Sequence, residues 1–492
     1  MLGNPNEPPL PLPVDSDVTA SAWWQYPIQY LTLCKRNPRY RLYLLSHICQ
    51  HIGDWYIRIA SLLAVERLAP NSATAISILM LVKMGPHALL PAVGGALADS
   101  VDRRKLMMTL DLIGAFVTLG FLIAIQFNSL PVFYVTAALR ATVHSLYEPA
   151  TKALVPMIVG GHEDLKRAMT LNGLAWAFML SIGGVIAGST AATLGLEACF
   201  LFDSVTYVIS AGVLLFLRGN YKVTAGNEDG NDGSSTLLTT DDPSAKIKDR
   251  SIRGLLFNIM IRPIGTFLKM TRAVWVYLWK SGFGLVVFLK TSGAIIWGPT
   301  DVLNAEYALV PGDEKQTSER LGIIFSCLGL GCLLGPVCAN FITDPDRPAT
   351  LQLVCVGSLA FMMSGWIGFS QTSTFSIVCI FTSLRAFGSS IIWVNSSLLL
   401  QALTVPEMLG RVLAIEFASM MFFDGILAIL TGILLDSGFT KNDVAAGVAA
   451  IAGAFFAVWS IYHMFGLGAA RKQFNQPTPD VRTDKIARVV FA

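Results

Sequence analysis

Apolar blocks of about 20 residues recur along almost the whole chain, parted by short polar turns. Each block is long enough to cross about 30 Å of hydrocarbon as an α-helix. Strands of a membrane barrel would be about 10 residues long and alternate polar with apolar residues, and no such alternation runs through the chain. The pattern predicts twelve helical spans, at about 42–67, 73–97, 105–127, 131–152, 165–192, 196–217, 282–309, 319–342, 350–371, 374–400, 411–436 and 443–467. They fall into two groups of six around one long polar segment, about 218–255, with Asn227-Glu228-Asp229-Gly230-Asn231-Asp232-Gly233 at its centre. That segment is too polar to offset the entropy of ordering and reads as a flexible linker. Residues 252–280 differ: Ile252, Leu255, Leu256 and Ile259 recur at helical spacing, Phe267 and Met270 repeat the pattern, and Arg253, Arg262, Lys269 and Arg272 lie among them. With Pro263 between the two apolar groups, this reads as two short amphipathic helices on the membrane surface.

The expected fold is all-α and membrane-embedded: twelve transmembrane helices as two pseudo-symmetric six-helix bundles. Its parts are an N-terminal tail (1–41), a first bundle (42–217), the linker with its amphipathic segment (218–281), a second bundle (282–467) and a C-terminal tail (468–492).

Composition agrees: 53% of residues are hydrophobic and 14% charged, against about 25% charged in a soluble domain. The net charge of +3 is scattered through short loops, which speaks against a nucleic-acid face. The eight cysteines fall almost entirely inside apolar blocks with no C-x-x-C pair, so they read as small packing residues. The first 20 residues are Pro-rich and acidic, with no basic-then-apolar signal pattern. Basic residues gather in alternate loops: Lys35, Arg36, Arg39 and Arg41, then Arg103, Arg104 and Lys105, then Lys166 and Arg167, then the linker and the C-terminal tail. By the positive-inside rule both termini are expected in the cytosol, with the plasma membrane as the expected location.

The two halves also resemble each other. Ala138-Leu139-Arg140-Ala141 in the fourth span matches Ser383-Leu384-Arg385-Ala386 in the tenth, and each is followed by an acidic-basic turn, Glu163 to Arg167 and Glu407 to Arg411. Parallel repeats of this kind are a transporter architecture with the solute site at their interface. Between spans two and three runs Gly94-Gly95-Ala96-Leu97-Ala98-Asp99-Ser100-Val101-Asp102-Arg103-Arg104-Lys105. It resembles the signature loop of the major facilitator superfamily, with Gly95, Leu97, Asp99, Arg103, Arg104 and Lys105 fitting, Ser100 in place of a usual Arg and Asp102 in place of a usual Gly. The resemblance implies that this loop is a conformational latch, with Gly95, Asp99, Arg103, Arg104 and Lys105 as its working residues. Gly95 is expected to permit close helix approach. Arg140 fits the family's intramembrane Arg in the fourth span, and Gly183, Gly184 and Gly188 resemble its glycine-rich fifth helix. Ile52-Gly53-Asp54-Trp55 and Glu148-Pro149-Ala150 look like the branch of drug, macrolide and siderophore exporters, although Asn is commoner than Glu before that Pro.

Ionisable groups at mid-bilayer cost at least about 2.5–3.5 kcal/mol each, so they are expected to face a cavity or a partner. His47, His51, Asp54 and Arg58 stand at steps that keep them on one face of the first span. Asp54 and Arg58 can pair within that helix. Two histidines without an evident third ligand do not make a metal site. Lys290, Trp297 and Asp301 share a face of the seventh span. The resemblance implies that spans one, four, seven and ten line the cavity, which then holds His47, His51, Asp54, Arg58, Arg140, Glu148, Lys290, Trp297, Asp301 and Arg385. Asp203, Glu416 and Asp424 fall in outer or interface spans, where structural roles compete with functional ones. Glu148, a step of eight beyond Arg140, and Asp54 are the expected proton carriers.

The expected activity is secondary active transport of a small organic solute by alternating access, as a proton-coupled exporter. The alternatives are an uncoupled facilitator or importer of a lipid or metabolite and, in a different class, a receptor or membrane enzyme. No nucleophile–base set, metal cluster or phosphate loop is evident in the sequence, so no enzyme activity and no cofactor are expected. Expected partners are the solute, protons and membrane lipids; nucleic acid is not expected, and the protein is expected to act as a monomer.

Overall fold

The computed structural model describes residues 32–159, 162–219, 221, 276–278, 284–343 and 347–466. Expectations for the two tails, for the linker and for most of the amphipathic segment lie outside the described residues. Among the described residues there are helices and turns and no strands.

The first half comprises α1 (Pro38–Leu68), α2 (Ala73–Leu89), α3 (Pro91–Ser100), α4 (Arg103–Gln126), α5 (Leu130–Val159), α6 (His162–Leu194) and α7 (Leu196–Leu215). The second comprises a 3₁₀ turn (Gly284–Val287), α8 (Phe288–Trp297), α9 (Thr300–Ala308), α10 (Glu314–Asn340), α11 (Pro348–Ser370), α12 (Phe375–Leu403), α13 (Pro406–Asp436) and α14 (Lys441–Ile461). Local chemistry sets the boundaries. The Asn37 side chain accepts from the Tyr40 N–H and Pro38 opens α1, a polar cap followed by a residue already fixed near helical φ. Gly195 (φ 87°) and Gly438 (φ 98°) supply the left-handed turns after α6 and α13.

These helices make twelve spans. Among the described residues, eight are long and apolar enough to cross a membrane, and α2 with α3, bent by 52°, makes a ninth. The remaining three, α1, α5 and the α8–α9 pair, carry most of the expected interior charges. The sequence pattern predicts an unbroken seventh span, but the structure breaks it at Gly298–Pro299, where proline offers no N–H to continue the helix. Bulky apolar side chains such as Leu112, Phe116 and Ile380 stay exposed on the outer surface, as lipid contact requires.

Within the first half α1 packs on α6 and α7, and α4 on α5 and α7; in the second, α11 packs on α12 and α14, and α8 on α13. The halves meet along two seams, α6 against α10 and α2 against α13. Glycine permits the first: a Cβ on Gly184 would fall 2.7 Å from the Gly322 carbonyl oxygen, and one on Gly188 would fall 2.6 Å from that of Ser318. At the second seam a Cβ on Gly432 would fall 2.7 Å from the Ala73 carbonyl oxygen. The Asp436 carboxylate reaches across to the N–H groups of Ala73 (2.8 Å) and Thr74 (3.0 Å), capping the start of α2.

Twelve spans leave both termini on one side of the bilayer. The seam contacts lie in the half of each helix away from that side, at the end that carries residues 69–72, 309–313 and 437–440. The close contacts between the halves named here therefore lie on this far side.

Candidate functional site

The interior charges form one cluster in each half and one pair across them. Arg140, on α5, is buried and binds two carboxylates: Nε and Nη2 donate to Asp203 on α7 (3.1 and 3.0 Å), and Nη2 also reaches Asp54 on α1 (3.0 Å). The Thr118 hydroxyl donates to Asp203 as well (3.0 Å), and the guanidinium lies 5.4 Å from the Tyr207 ring centroid. Asp203, in an outer span by sequence, is the anchor of this cluster. Removing one partner of such a buried pair leaves an uncompensated charge, at a cost of about 3–5 kcal/mol.

Asp54 also has histidines beside it. His51 Nδ1 is 3.7 Å and His144 Nε2 3.8 Å from its Oδ2, and His47 Nε2 is 3.0 Å from His51 Nε2. The His87 ring lies 5.2 Å from that of His144 and bonds Ser145 (3.0 Å). The side chains of Asp54 and His144 are 30% and 33% exposed although both sit mid-helix. The histidine stripe that the first span predicts is present, and α2 and α5 extend it.

Arg58 does not pair with Asp54 one turn away. Its Nη2 lies 2.7 Å from both oxygens of Asp301, on α9 in the other half. The guanidinium also lies 5.6 Å from the Trp55 ring and 5.0 Å from that of Phe325, on α10. This ion pair crosses the seam on the far side of Asp54 and closes the cleft above it. Lys83, on α2, lies within electrostatic reach of Arg58, Arg140, Asp54 and Asp301 and has no hydrogen-bond or ion-pair partner among the described residues.

Glu148 and Arg140 do not meet. The Glu148 carboxylate pairs with Lys152 one turn along α5 (2.7 Å), and its side chain is 45% exposed. Arg140 turns instead toward α1 and α7, where two carboxylates converge. In the second half the three residues of the seventh span part company. Lys290 is buried against Glu416 on α13 (3.1 Å), bonds Ser397 and lies 5.2 Å from the Trp393 ring. Trp297 packs against the apolar core. Asp301, beyond the break, joins Arg58. Arg385 is the structural counterpart of Arg140 in burial, but no carboxylate binds it among the described residues. It donates to Thr300 (2.8 Å) and Asn304 (2.5 Å) and stacks on Trp366 and Phe369.

In the loop after α3, Asp99 bonds Arg103 (3.0 Å) and is 71% exposed, while the Arg103 guanidinium reaches the Ala153 carbonyl on α5 (3.0 Å). Arg104 donates to the Leu215 carbonyl (3.3 Å). Asp102, where the family usually has Gly, caps α4 by accepting from the Lys105 N–H (3.2 Å) and also takes the Tyr221 N–H (3.3 Å). The close approach expected at Gly95 occurs at Gly94 instead. A Cβ there would lie 3.1 Å from Leu146 and Pro149, whereas one on Gly95 meets open space. The hydrogen bonds of this loop given above all stay within the first half.

The sequence reading missed Lys83, His87 and His144. Lys83 and His87 stand four residues apart in an apolar block, and His144 stands four beyond Arg140; the spacing that marks the first span's stripe is present at all three.

Comparison with known proteins agrees with this architecture. Residues 43–312 match the Major Facilitator Superfamily. The uncharacterised MFS-type transporter YkuC of Bacillus subtilis (strain 168) is 23% identical over 344 residues, covering 69% of this chain and 72% of YkuC. The crystal structure of the nucleoside transporter NupG superposes with a TM-score of 0.61 at 13% identity, over 87% of this chain and 99% of NupG. A POT family transporter in complex with 5-aminolevulinic acid gives a TM-score of 0.61 at 11% identity, over 87% of this chain and 97% of its own. At these identities the likeness to the solved structures is one of fold. The chain belongs to the Major Facilitator Superfamily and is a multi-pass membrane transporter of that type.

Proposed function

We propose that this transporter is a proton-coupled exporter of a small organic solute, working as a monomer by alternating access with both termini in the cytosol of a plasma-membrane protein. The observation that carries the reading is the charged cleft between the halves. Asp54, His51 and His144 keep partly exposed side chains there, and the Arg58–Asp301 pair links the halves on their far side.

The geometry supports a division of labour. Arg140 holds Asp54 and Asp203 within the first half, so that cluster moves as a unit when the halves rock. Arg58–Asp301 spans the halves, so it must break when the far side opens and reform when it closes. A solute that offers its own charges to the cleft competes with these pairs, and its differential contacts in the two states bias the exchange. Export is the direction favoured by the likeness of Ile52-Gly53-Asp54-Trp55 to the drug, macrolide and siderophore exporters. The loop Gly95, Asp99, Arg103, Arg104 and Lys105 is the proposed latch for the opposite, terminus-side-closed state.

The test is transport in proteoliposomes of fluorescent drugs, macrolides, siderophores, nucleosides and dipeptides, with and without an imposed pH gradient. Accumulation that follows the gradient is the expected result. A solute carried at the same rate with and without the gradient would leave an uncoupled facilitator.

A further inference from the structure

One carboxylate lies beside the far-side gate without a partner. Asp424, on α13, is 6% exposed, and its Oδ1 meets no hydrogen-bond donor among the described residues. Gly298, at the break in the seventh span, fixes it there: a Cβ on that glycine would lie 2.6 Å from the Asp424 carbonyl oxygen. The charged groups within electrostatic reach are Asp301 from α9 and Arg58 from α1. On α2, the residues beside neighbouring Gly425 are Leu81 and Met84, and Lys83, between them in sequence, lies within electrostatic reach of Asp301 and Arg58. Lys290 on α8 and Glu416 on α13 lie nearer the terminus side and are spent on each other. Arg385, the one charge on α12, is held by Thr300 and Asn304, and α14 has its charges, Lys441 and Asp443, at its far-side end. Arg58 commits Nη2 to both oxygens of Asp301, while its buried Nε has no acceptor among the described residues.

We propose that Asp424 is a proton-binding site whose occupancy is set by the Arg58–Asp301 gate. The proposal deepens the transport reading above and rests on it for the direction of flow. Two neighbouring carboxylates cannot both ionise without a cation between them, and an unpaired buried carboxylate costs several kcal/mol. With the far side closed, one guanidinium stands beside Asp301 and Asp424. With the far side open, Arg58 has moved off with its half, and the two carboxylates share a site with no arginine from the first half. One of them must then hold a proton, and Asp424, the deeper and unbonded one, is the group that does. Closure returns the guanidinium, Nε can engage Asp424, and the acid ionises to carboxylate with its proton passing to water in the cleft. The arrangement in the structure, with Oδ1 unengaged and Nε unspent, is the loaded gate just closed. The proton is thus held more tightly when the far side is open, and this state dependence is what linkage between proton and conformation requires. It enters from the far side and leaves on the terminus side.

Infrared spectroscopy of the purified protein in lipid tests this without any solute. A pH titration should show the carbonyl stretch of a protonated carboxylic acid, and Asp424→Asn should remove it. Arg58→Gln should raise the midpoint of that band by about one to three pH units, because the cation is gone. Asp301→Asn should lower it, because the like charge beside Asp424 is removed. Shifts of opposite sign from two neighbouring variants cannot come from general loosening. An acid band that survives Asp424→Asn unchanged, or a midpoint that Arg58→Gln leaves in place, overturns the proposal. A band that behaves as expected in a protein whose transport ignores a pH gradient keeps the site and removes the coupling reading.

Discussion

Asp301→Asn should shift the molecule toward its far-side-open state. The substitution keeps the shape of the side chain and removes the charge that Arg58 binds from the other half. A hydrogen bond to a charged group contributes about 1.5–3 kcal/mol. Here the Arg58 side chain is 35% exposed and that of Asp301 15%, so solvent screening discounts the pair, and about 1–2 kcal/mol remains. Because the bond exists only with the far side closed, the whole of that loss falls on one state. At 1.4 kcal/mol per factor of ten, the open-to-closed ratio should rise about 5- to 30-fold.

Spin labels at Thr193 on α6 and Lys315 on α10 report the change. Both residues are exposed and stand at the far-side ends of the seam helices. Pulsed electron–electron distances between them should gain a longer population in Asp301→Asn. Arg58→Gln should do the same and somewhat more, since it also loses the contact with Phe325 in the other half, worth about 0.5–1 kcal/mol. The exchange of Arg58→Asp with Asp301→Arg should recover part of the closed population. A distance distribution identical to wild type in Asp301→Asn, with undiminished transport, would refute the gate.

Three further outcomes follow from the geometry. Asp99→Asn should insert and express normally, because its pair with Arg103 is surface-exposed and worth less than about 1 kcal/mol, yet transport in proteoliposomes should fall if the loop latches the opposite state; wild-type rates would dismiss the latch. Gly322→Val should abolish transport and lower the Tm, since its Cβ alone would lie 3.0 Å from the Gly188 Cα across the seam; an unchanged melting curve would contradict the close packing. Glu148→Gln should leave gradient-driven accumulation within about twofold of wild type, because its partner is the exposed Lys152, while Asp54→Asn should damage both accumulation and exchange by stripping Arg140 of one of its two carboxylates, a loss of about 3 kcal/mol or more; the reverse ranking would return Glu148 to the proton path.

The spans were legible because bilayer thickness fixes their length, and the buried arginines because the repeat sets Arg140 and Arg385 at matching places in the two halves. What spacing could not give was the partner of each charge. An i, i+4 rule pairs Asp54 with Arg58, yet each binds elsewhere: Asp54 to an arginine on neighbouring α5, Arg58 to a carboxylate in the other half. The rule misleads here because it describes a helix in water, where the only fixed neighbour is the next turn. Inside the bilayer a buried counter-charge with better geometry takes precedence over the local one. Asp203 shows the same effect: nothing in its own span marks it, and its role appears only when α7 packs beside α5. The seventh span failed differently, because a face drawn across Lys290, Trp297 and Asp301 assumes an unbroken helix, and Gly298–Pro299 sends the three to Glu416, the core and Arg58. Pairings that cross the seam are also the ones that must change as the halves move. Sequence spacing, which is the same in every state of the cycle, therefore reads the fixed cluster around Arg140 more readily than the gate.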